Sequence, residues 1–307
     1  MLPEIHLQPE PQTLRSLLYQ AATCLTQHPE RASADAELLL RHVIQRDKAW
    51  IVAHGLTPLP AAEADRIQRL LQPLLLRRAV GEPVQYILGE TEFYGLNLAV
   101  SPAVLIPRPE TELLVEQVLA VTRTLASPRI LDIGTGSGAI AIALAAALPQ
   151  AHLVAVDLSP AALELARQNA LRHRLADRIH FLESDLFSAL TGQCFDVVVS
   201  NPPYVPLQDA STLAVEVRDH EPALALFAGD DGLAIYRRLI PAARTHLASG
   251  GLLALEFGFG QQQSIAELLA VSGFHGIEIL PDYQQIPRIA LALQPNPQAN
   301  DATLHLN

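Results

Sequence analysis

A glycine-rich turn between a buried strand and a helix constrains the fold of this chain more than any other feature. A strand is predicted over residues 129–133, and glycines occupy alternate positions from Gly134 to Gly138 before a helix over 139–147. Glycine accepts a left-handed backbone, and without a Cβ it lets a ligand lie against the main chain. The turn therefore predicts an α/β fold with a ligand site at the end of this strand.

Strand and helix patterns alternate through the rest of this region. The further strands are predicted over 152–156, 179–183, 195–199 and 252–257, and the helices around 112–125, over 161–171 and within 233–247. Because crossover connections between parallel strands are right-handed, such a chain forms a mostly parallel sheet covered by helices on both faces. The predicted fold class is α/β.

The first eighty residues follow a different pattern, in which apolar residues recur at helical spacing. Helices are predicted over 14–25, over a segment with Ser33 as its N-cap, and over 61–78. They predict a small helical bundle. Two extended runs, 84–87 and 93–100, surround Gly89 and Gly95 and predict a hairpin.

These patterns predict four parts of the chain. They are a helical bundle over 1–82, a β-hairpin linker over 83–107, the α/β domain over 108–294 and a loosely ordered tail, rich in Pro, Gln and Asn, over 295–307.

Charge and cysteine content exclude several classes of protein. The 21 Lys and Arg against 32 Asp and Glu give a net charge of -11, which argues against binding nucleic acid through phosphate contacts. Two cysteines and 11 scattered histidines show no metal-ligand spacing, so no metal is expected. Residues 1–12 do not resemble a signal peptide, and Asp132 with three glycines interrupts the most apolar stretch, 130–148. No membrane association and a cytoplasmic location are expected.

The glycine loop and the following strand ends predict a nucleoside-containing cofactor. The glycine spacing differs from the dinucleotide fingerprint and is common in S-adenosylmethionine enzymes, so Gly134, Thr135, Gly136, Ser137 and Gly138 are assigned to that cofactor.

Two strand ends complete the predicted cofactor site. Asp157 ends the second strand, where a carboxylate accepts both ribose hydroxyls; the alternative is capping of the helix that begins near Pro160. After the third strand, Asp185 is predicted to face the adenine amino group and Leu186 to pack on the ring.

The fourth strand leads into Asn201-Pro202-Pro203-Tyr204, which predicts the reaction. Two prolines stiffen the loop and remove two donors. An Asn side-chain carbonyl and a Pro carbonyl can each accept one N–H of a planar –NH2 group, and Tyr204 offers a flat face for packing. The nitrogen is thereby held in line with the cofactor methyl group. Adenine, cytosine and glutamine all carry such a group, and this segment does not separate them.

Several segments in addition resemble the HemK-like release-factor glutamine N5-methyltransferases, the PrmC family. They are 35–40 (DAELLL), 81–87 (GEPVQYI), 93–95 (FYG), 106–112 (IPRPETE), the glycine loop, 201–204 (NPPY), 221–226 (EPALAL) and 229–233 (GDDGL). The resemblance covers nearly the whole chain. It implies a helical domain that grips the substrate, a hairpin linker and a Rossmann-like class I methyltransferase domain.

The resemblance also implies a substrate, the glutamine of the Gly-Gly-Gln loop of class 1 peptide-chain release factors, and a role in translation termination. It places Gly134 to Gly138, Asp157, Leu186 and Asn201 at the cofactor, and Asn201 to Tyr204 at the glutamine. Leu186 departs from the aromatic residue often found there. Arg108 is expected to tether the linker near the active site, with a surface salt bridge as the alternative.

Three other interpretations fit the sequence less well. An adenine-N6 or cytosine-N4 methyltransferase would share the loop and Asn201 to Tyr204 but should carry a basic groove. A nicotinamide-dependent dehydrogenase is disfavoured by the glycine spacing. A scaffold without activity is disfavoured by the intact Gly134, Asp157 and Asn201.

Overall fold

The computed structural model describes residues 12–25 and 29–296, which form two compact units. The first contains the described residues up to Glu90 and Ala214–His220; the second contains Thr91–Leu213 and the described residues from Glu221 onward. Residues 1–11 and 297–307, which include most of the tail expected to be loosely ordered, lie outside the described residues. Within the described ranges, no helix combines the length and apolarity needed to cross a membrane.

Helices make up most of the first unit, and the second unit combines helices with strands. The helices are α1 Leu14–Cys24, α2 Ala32–Ile44, α3 Lys48–His54, α4 Ala61–Ala79, α5 Val84–Leu88, α6 Pro109–Thr122, α7 Ala139–Ala147, α8 Pro160–Arg172, α9 Val215–His220, α10 Ala223–Leu226, α11 Ala234–Ala243 and α12 Gln262–Val271. The strands are β1 Glu90–Phe93, β2 Leu96–Ala99, β3 Arg129–Ile133, β4 His152–Asp157, β5 Ile179–Glu183, β6 Phe195–Ser200, β7 Leu247–Glu256, β8 His275–Pro281 and β9 Pro287–Leu293.

The first unit is a helical bundle, as the sequence predicts. The apolar faces of α1, α2 and α4 meet in one core, in which Leu17, Leu39 and Leu71 are fully buried. The predicted N-cap at Ser33 is wrong, because α2 already begins at Ala32 without a side-chain cap. The short helix α3 escaped the sequence analysis because a seven-residue helix carries too little periodicity.

The segment 84–87 is helical, which corrects the predicted extended run. Val84 and Ile87 are buried together in the core of the first unit, at the i, i+3 spacing of a helix. Pro83 precedes the helix and Gly89, with φ +77°, ends it in the left-handed conformation. A short apolar run does not distinguish a helix from a strand, and here the flanking Pro and Gly were the informative residues. The hairpin itself consists of β1 and β2.

A buried ion pair crosses the interior of the first unit. Arg78 of α4 donates from Nε to Asp35 Oδ2 of α2 at 2.6 Å, and both side chains are 2% exposed. Arg78 also contacts the carboxylate of Glu216 in α9. Since a buried charge is stable only with a partner, this arginine holds α2, α4 and α9 to one another.

Replacing Arg78 with Met is therefore expected to lower the free energy of unfolding by about 3 kcal/mol, because Asp35 loses its buried countercharge. Urea denaturation measures the change. The matched control is Arg77→Met, since Arg77 pairs with Glu82 at the surface and its loss should cost no more than about 0.5 kcal/mol. Equal effects of the two substitutions would show that the buried pair contributes nothing beyond a surface one.

The second unit contains a seven-stranded sheet with the order β5-β4-β3-β6-β7-β9-β8. The first five strands of this order are parallel, whereas β9 pairs antiparallel with both β7 and β8. Helices α6 and α7 contribute to the core on one face and α11 and α12 to the core on the other. The predicted α/β fold with a mostly parallel sheet is confirmed; helix α6, however, begins at Pro109, three residues before the predicted start.

The strand order reverses between β3 and β6, and this position determines where a ligand can bind. The chain proceeds from β3 outward to β5 and then returns to form β6 on the other side of β3. The Ser200 hydroxyl donates to the Ile133 carbonyl at 2.7 Å and ties the ends of the two strands together. The connections leaving β3 and β6 diverge here, which opens the crevice where open α/β sheets bind ligands.

Candidate active site

A cavity lies at the carboxyl ends of the parallel strands in the second unit. It is lined by residues of the glycine loop, by the ends of β4 and β6, by the loop after β5, by the segment that leads into α6 and by Thr111 in the first turn of α6. Of the predicted site residues, it brings together Gly134, Thr135, Gly136, Ser137, Asp157, Asp185, Leu186, Asn201, Pro202 and Pro203. Gly138 and Tyr204 do not line it.

Two glycines of the loop have different structural roles. Gly136 has φ +54°, and a Cβ built on it would meet nothing within 4 Å, so its backbone is open to a ligand. Gly138 has φ +84°, and its Cβ would lie 2.9 Å from Ile142 Cδ1 and 3.2 Å from Ala166 Cβ. The last glycine thus allows α7 to pack closely against α8 and does not line the cavity.

Buried polar side chains hold the glycine loop through hydrogen bonds. The Thr135 hydroxyl donates to Asp132 Oδ2 at 2.7 Å, and the backbone N–H of Ala141 reaches the same oxygen at 3.2 Å. Burial raises the pKa of Asp132 to about 7. Asn169, which is fully buried, donates to the Ser137 carbonyl at 2.9 Å and also bonds the backbone of Ala99. Neither Asp132 nor Asn169 was assigned a role from the sequence.

Asp157 also holds the glycine loop through hydrogen bonds. Its Oδ2 accepts from the backbone N–H of Gly136 and its Oδ1 from that of Ser159, each at 2.9 Å. Helix α8 is capped by Ser159, whose hydroxyl accepts from Ala162 N–H at 3.2 Å. Asp157 therefore does not serve as the N-cap, the alternative that the sequence left open. Burial raises the pKa of this carboxyl.

The loop after β5 presents Asp185 and Leu186 at the cavity. The Asp185 carboxylate is exposed and accepts from Arg238 Nη2 at 2.7 Å. Leu186 has φ +52°, a left-handed conformation that costs a residue with a Cβ about 1–2 kcal/mol. The Ser184 hydroxyl donates to the Leu186 carbonyl at 2.8 Å and holds this turn. A strained residue at the rim of a cavity points to a functional constraint.

Part of the segment 201–204 lines the cavity, and the rest packs against the core. Asn201, Pro202 and Pro203 line the cavity, whereas Tyr204 packs against the hydrophobic core that contains α11 and α12. The Tyr204 carbonyl accepts from Gln261 Nε2 at 3.0 Å, which anchors the end of the segment. Burial raises the pKa of Tyr204 to about 12, so its phenol stays protonated at neutral pH.

Two side chains behind Asn201 were missed by the sequence analysis. Asn201 Nδ2 donates to Thr111 Oγ1 at 3.0 Å, and that hydroxyl donates to Glu256 Oε2 at 2.7 Å. Thr111 lies in the first turn of α6, and Glu256 is the last residue of β7. A carboxylate that ends an otherwise apolar strand was the feature that could have identified Glu256.

Arg108 lies at the start of α6 and lines the cavity. It donates from Nη2 to Glu221 Oε1 at 2.6 Å, and the Glu221 side chain is 1% exposed. The same carboxylate accepts from the backbone N–H of Ile106 at 3.4 Å. The pair is thus not a surface salt bridge; it ties the end of the predicted linker to the segment before α10.

Comparison with known proteins places the chain in a family. Residues 16–89 match the PrmC N-terminal domain and residues 109–218 the methyltransferase small domain. The release factor glutamine methyltransferase of Escherichia coli (strain K12) is 45% identical over 266 residues, which cover 86% of this chain and 93% of the relative. The chain belongs to the release factor glutamine methyltransferases. The resemblance inferred from the sequence is confirmed.

Another release factor glutamine methyltransferase matches this chain over a similar length. That of Geobacter sulfurreducens is 41% identical over 283 residues, or 92% of this chain and 97% of the relative. A solved structure, the hMettl16 catalytic domain in complex with an RNA hairpin of the MAT2A 3'UTR, matches with a TM-score of 0.57 and 20% identity, covering 75% of this chain and 84% of that chain. At this identity the likeness shows the methyltransferase fold alone.

Proposed function

We propose that this protein transfers the methyl group of S-adenosylmethionine to the side-chain amide nitrogen, N5, of the glutamine in the Gly-Gly-Gln loop of a class 1 peptide-chain release factor. The observation that carries this proposal is the Asn201 side-chain amide, which lines the cavity while its Nδ2 is bound to Thr111. This arrangement leaves Oδ1 to accept an N–H from a substrate –NH2 group. Membership of the family supplies the substrate class.

The cavity fits S-adenosylmethionine. The open space at the Cα of Gly136 allows the cofactor to lie against the loop, and the half-buried Asp157 carboxylate at the end of β4 suits two ribose hydroxyls. Asp185 and Leu186 line the side where the adenine is proposed to bind, with Leu186 packing on the ring as an aliphatic group. When bound, the cofactor supplies a methyl group activated by a positively charged sulfur.

An amide nitrogen is a weak nucleophile because its lone pair is delocalised. The segment 201–204 is proposed to activate it. Asn201 Oδ1 and the carbonyl of Pro202 are proposed to accept the two N–H groups of the glutamine amide. Two acceptors fix the direction of the nitrogen and favour loss of planarity as the new bond forms. Tyr204 is proposed to support this segment through its packing in the core, because its side chain does not line the cavity.

The partner is proposed to be a protein and not a nucleic acid. The net charge of -11 opposes binding to phosphates, and the family resemblance implies that the N-terminal domain grips the release factor. The adenine-N6 or cytosine-N4 alternative is not favoured by the relatives, whose names specify glutamine in release factors. Translation termination places the reaction in the cytoplasm.

The test is methyl transfer from S-adenosylmethionine to an unmethylated release factor, with the position mapped by peptide mass spectrometry. We expect one added methyl group, on the glutamine of the Gly-Gly-Gln loop. The control is a release factor with that glutamine replaced by alanine, which should accept none. Transfer to DNA or RNA together with none to the release factor would overturn the proposed substrate and leave the fold and cofactor unchanged.

A further inference from the structure

The side chains behind Asn201 form a hydrogen-bonded chain with a defined direction. A threonine hydroxyl has one hydrogen, and at Thr111 it is donated to Glu256 Oε2 at 2.7 Å. The oxygen of Thr111 can then only accept, which it does from Asn201 Nδ2 at 3.0 Å. The direction runs from Asn201 through Thr111 to the Glu256 carboxylate, so the orientation of the Asn201 amide is determined by its partners.

We propose that Thr111 and Glu256 are positioning residues for methyl transfer, which hold the Asn201 amide with Nδ2 toward the protein interior and Oδ1 toward the methyl acceptor. This inference rests on the proposed function. An asparagine amide rotated by 180° would present Nδ2 to the substrate –NH2 group, so that two donors would face each other. Thr111 disfavours that orientation because its oxygen has no hydrogen left to donate to Oδ1.

The surroundings of Glu256 make this series of hydrogen bonds rigid. Thr111 lines the cavity but is only 4% exposed, and Glu256 is 2% exposed, so water has little access to their hydrogen bonds. The Tyr236 hydroxyl donates to the backbone carbonyl of Glu256 at 2.6 Å and fixes the end of β7. A buried carboxylate polarises the hydroxyl that donates to it, and this strengthens the hydrogen bond that the hydroxyl oxygen accepts from Asn201.

The charge of Glu256 makes the arrangement sensitive to pH. Burial raises the pKa of Glu256 to about 7; among its neighbours the hydrogen bond from Thr111 and the charge of Arg288 lower it, whereas the carboxylate of Glu110 raises it. The Tyr204 and Tyr236 phenols, whose own pKa values burial raises, remain neutral beside it. Ionised Glu256 is the form that accepts from Thr111, so methyl transfer should weaken as the pH falls through about 7.

Substitutions at Thr111 separate positioning from packing. Thr111→Val keeps the shape and removes the hydroxyl, and we expect kcat to fall about 30-fold while the Kd for S-adenosylmethionine changes by less than about threefold. Thr111→Ser restores the hydroxyl and should recover kcat to within about threefold of the wild type. Thr124→Val, at an exposed position near the end of α6, is the matched control and should leave kcat unchanged.

Glu256→Gln tests the charge. Its side-chain carbonyl can still accept from Thr111, so we expect kcat to fall about tenfold above about pH 8 and the decline of kcat below about pH 7 to disappear. The control is Glu267→Gln, in which an exposed carboxylate of α12 is neutralised and the wild-type pH profile should persist. If Thr111→Val does not fold, Thr111→Ser and this pH profile still carry the test.

The outcomes distinguish this inference from the proposed function. Absence of methyl transfer by the wild-type protein would count against the proposed function itself. If the wild type transfers methyl groups and Thr111→Val has the same kcat, the positioning role is overturned. The same conclusion follows if kcat falls equally in Thr111→Val and Thr111→Ser. A pH profile of Glu256→Gln that matches the wild type would do the same.

Discussion

Replacing Asn201 with Ala is expected to reduce methyl transfer to a release factor by about 10³-fold or more, on the order of what well-oriented polar contacts to reacting atoms supply. The substitution removes Oδ1, one of the two acceptors proposed to hold the glutamine amide, and leaves Thr111 without its donor. The contacts proposed for the cofactor through Asp157 and the glycine loop remain. Single-turnover kinetics together with equilibrium binding of S-adenosylmethionine measure both effects.

The matched control is Asn97→Ala, which removes an exposed asparagine side chain of β2 and should leave turnover unchanged. Two results would contradict the proposed role. Unchanged turnover in Asn201→Ala would mean that the amide does not orient the substrate. A loss of transfer that is fully explained by lost cofactor binding would make Asn201 a cofactor residue only.

Much of the parallel part of the sheet could be predicted from sequence because its central strands, β3 and β6, are buried along most of their length. The predicted bounds of β3 and β5, and those of helix α7, coincide with the observed ones. A strand covered by helices on both sides appears as a continuous apolar run, and the turns that follow it contain glycine or polar residues. The connection from β3 to α7 was the most predictable part for that reason.

The last two strands escaped the sequence analysis for the opposite reason. Strand β8 is exposed or half-buried along its whole length, so it shows neither a continuous apolar run nor an alternation. The sequence of β9 begins with Pro287, a residue that disfavours central strands. Its antiparallel pairing with β7 depends on contacts between segments that are distant in the sequence, which local patterns do not contain.

The candidate site was predictable where its residues follow strands directly. The glycine loop, Asp157, Asp185 and Asn201 each come at or after the end of a parallel strand, and such ends meet at one edge of a sheet. Thr111 and Glu256 could not be placed, since they are 90 and 145 positions from their respective partners Asn201 and Thr111. The pairing of β6 with β7 and the packing of α6 against β7 bring them together.

The structure also shows that residues of one motif differ in whether they line the cavity. Gly138 is needed because α7 and α8 approach each other closely at its Cα, whereas Tyr204 is half-buried and packs against the core. Both lie in motifs whose other members line the cavity. A substitution at Gly138 therefore reports on packing, and the cofactor contact is better tested at a residue whose side chain faces the cavity.

Asp157 is that residue, and Asp157→Ala is expected to weaken binding of S-adenosylmethionine on the order of 10³-fold. Two hydrogen bonds from ribose hydroxyls to a charged carboxylate contribute about 2 kcal/mol each, and about 4 kcal/mol corresponds to that factor. The same carboxylate holds the backbone N–H groups of Gly136 and Ser159, so its loss also loosens the glycine loop. Isothermal titration calorimetry gives the Kd.

Asp157→Asn separates the two contributions. The amide keeps one acceptor oxygen for the ribose or for the loop but loses the charge, so its Kd should lie between those of the wild type and Asp157→Ala, about 30-fold above the wild type. Asp177→Ala removes an exposed carboxylate after α8 and should leave the Kd unchanged. A Kd for Asp157→Ala within about threefold of the wild type would contradict the assignment, because a carboxylate that accepts from the cofactor cannot be removed without a loss of affinity.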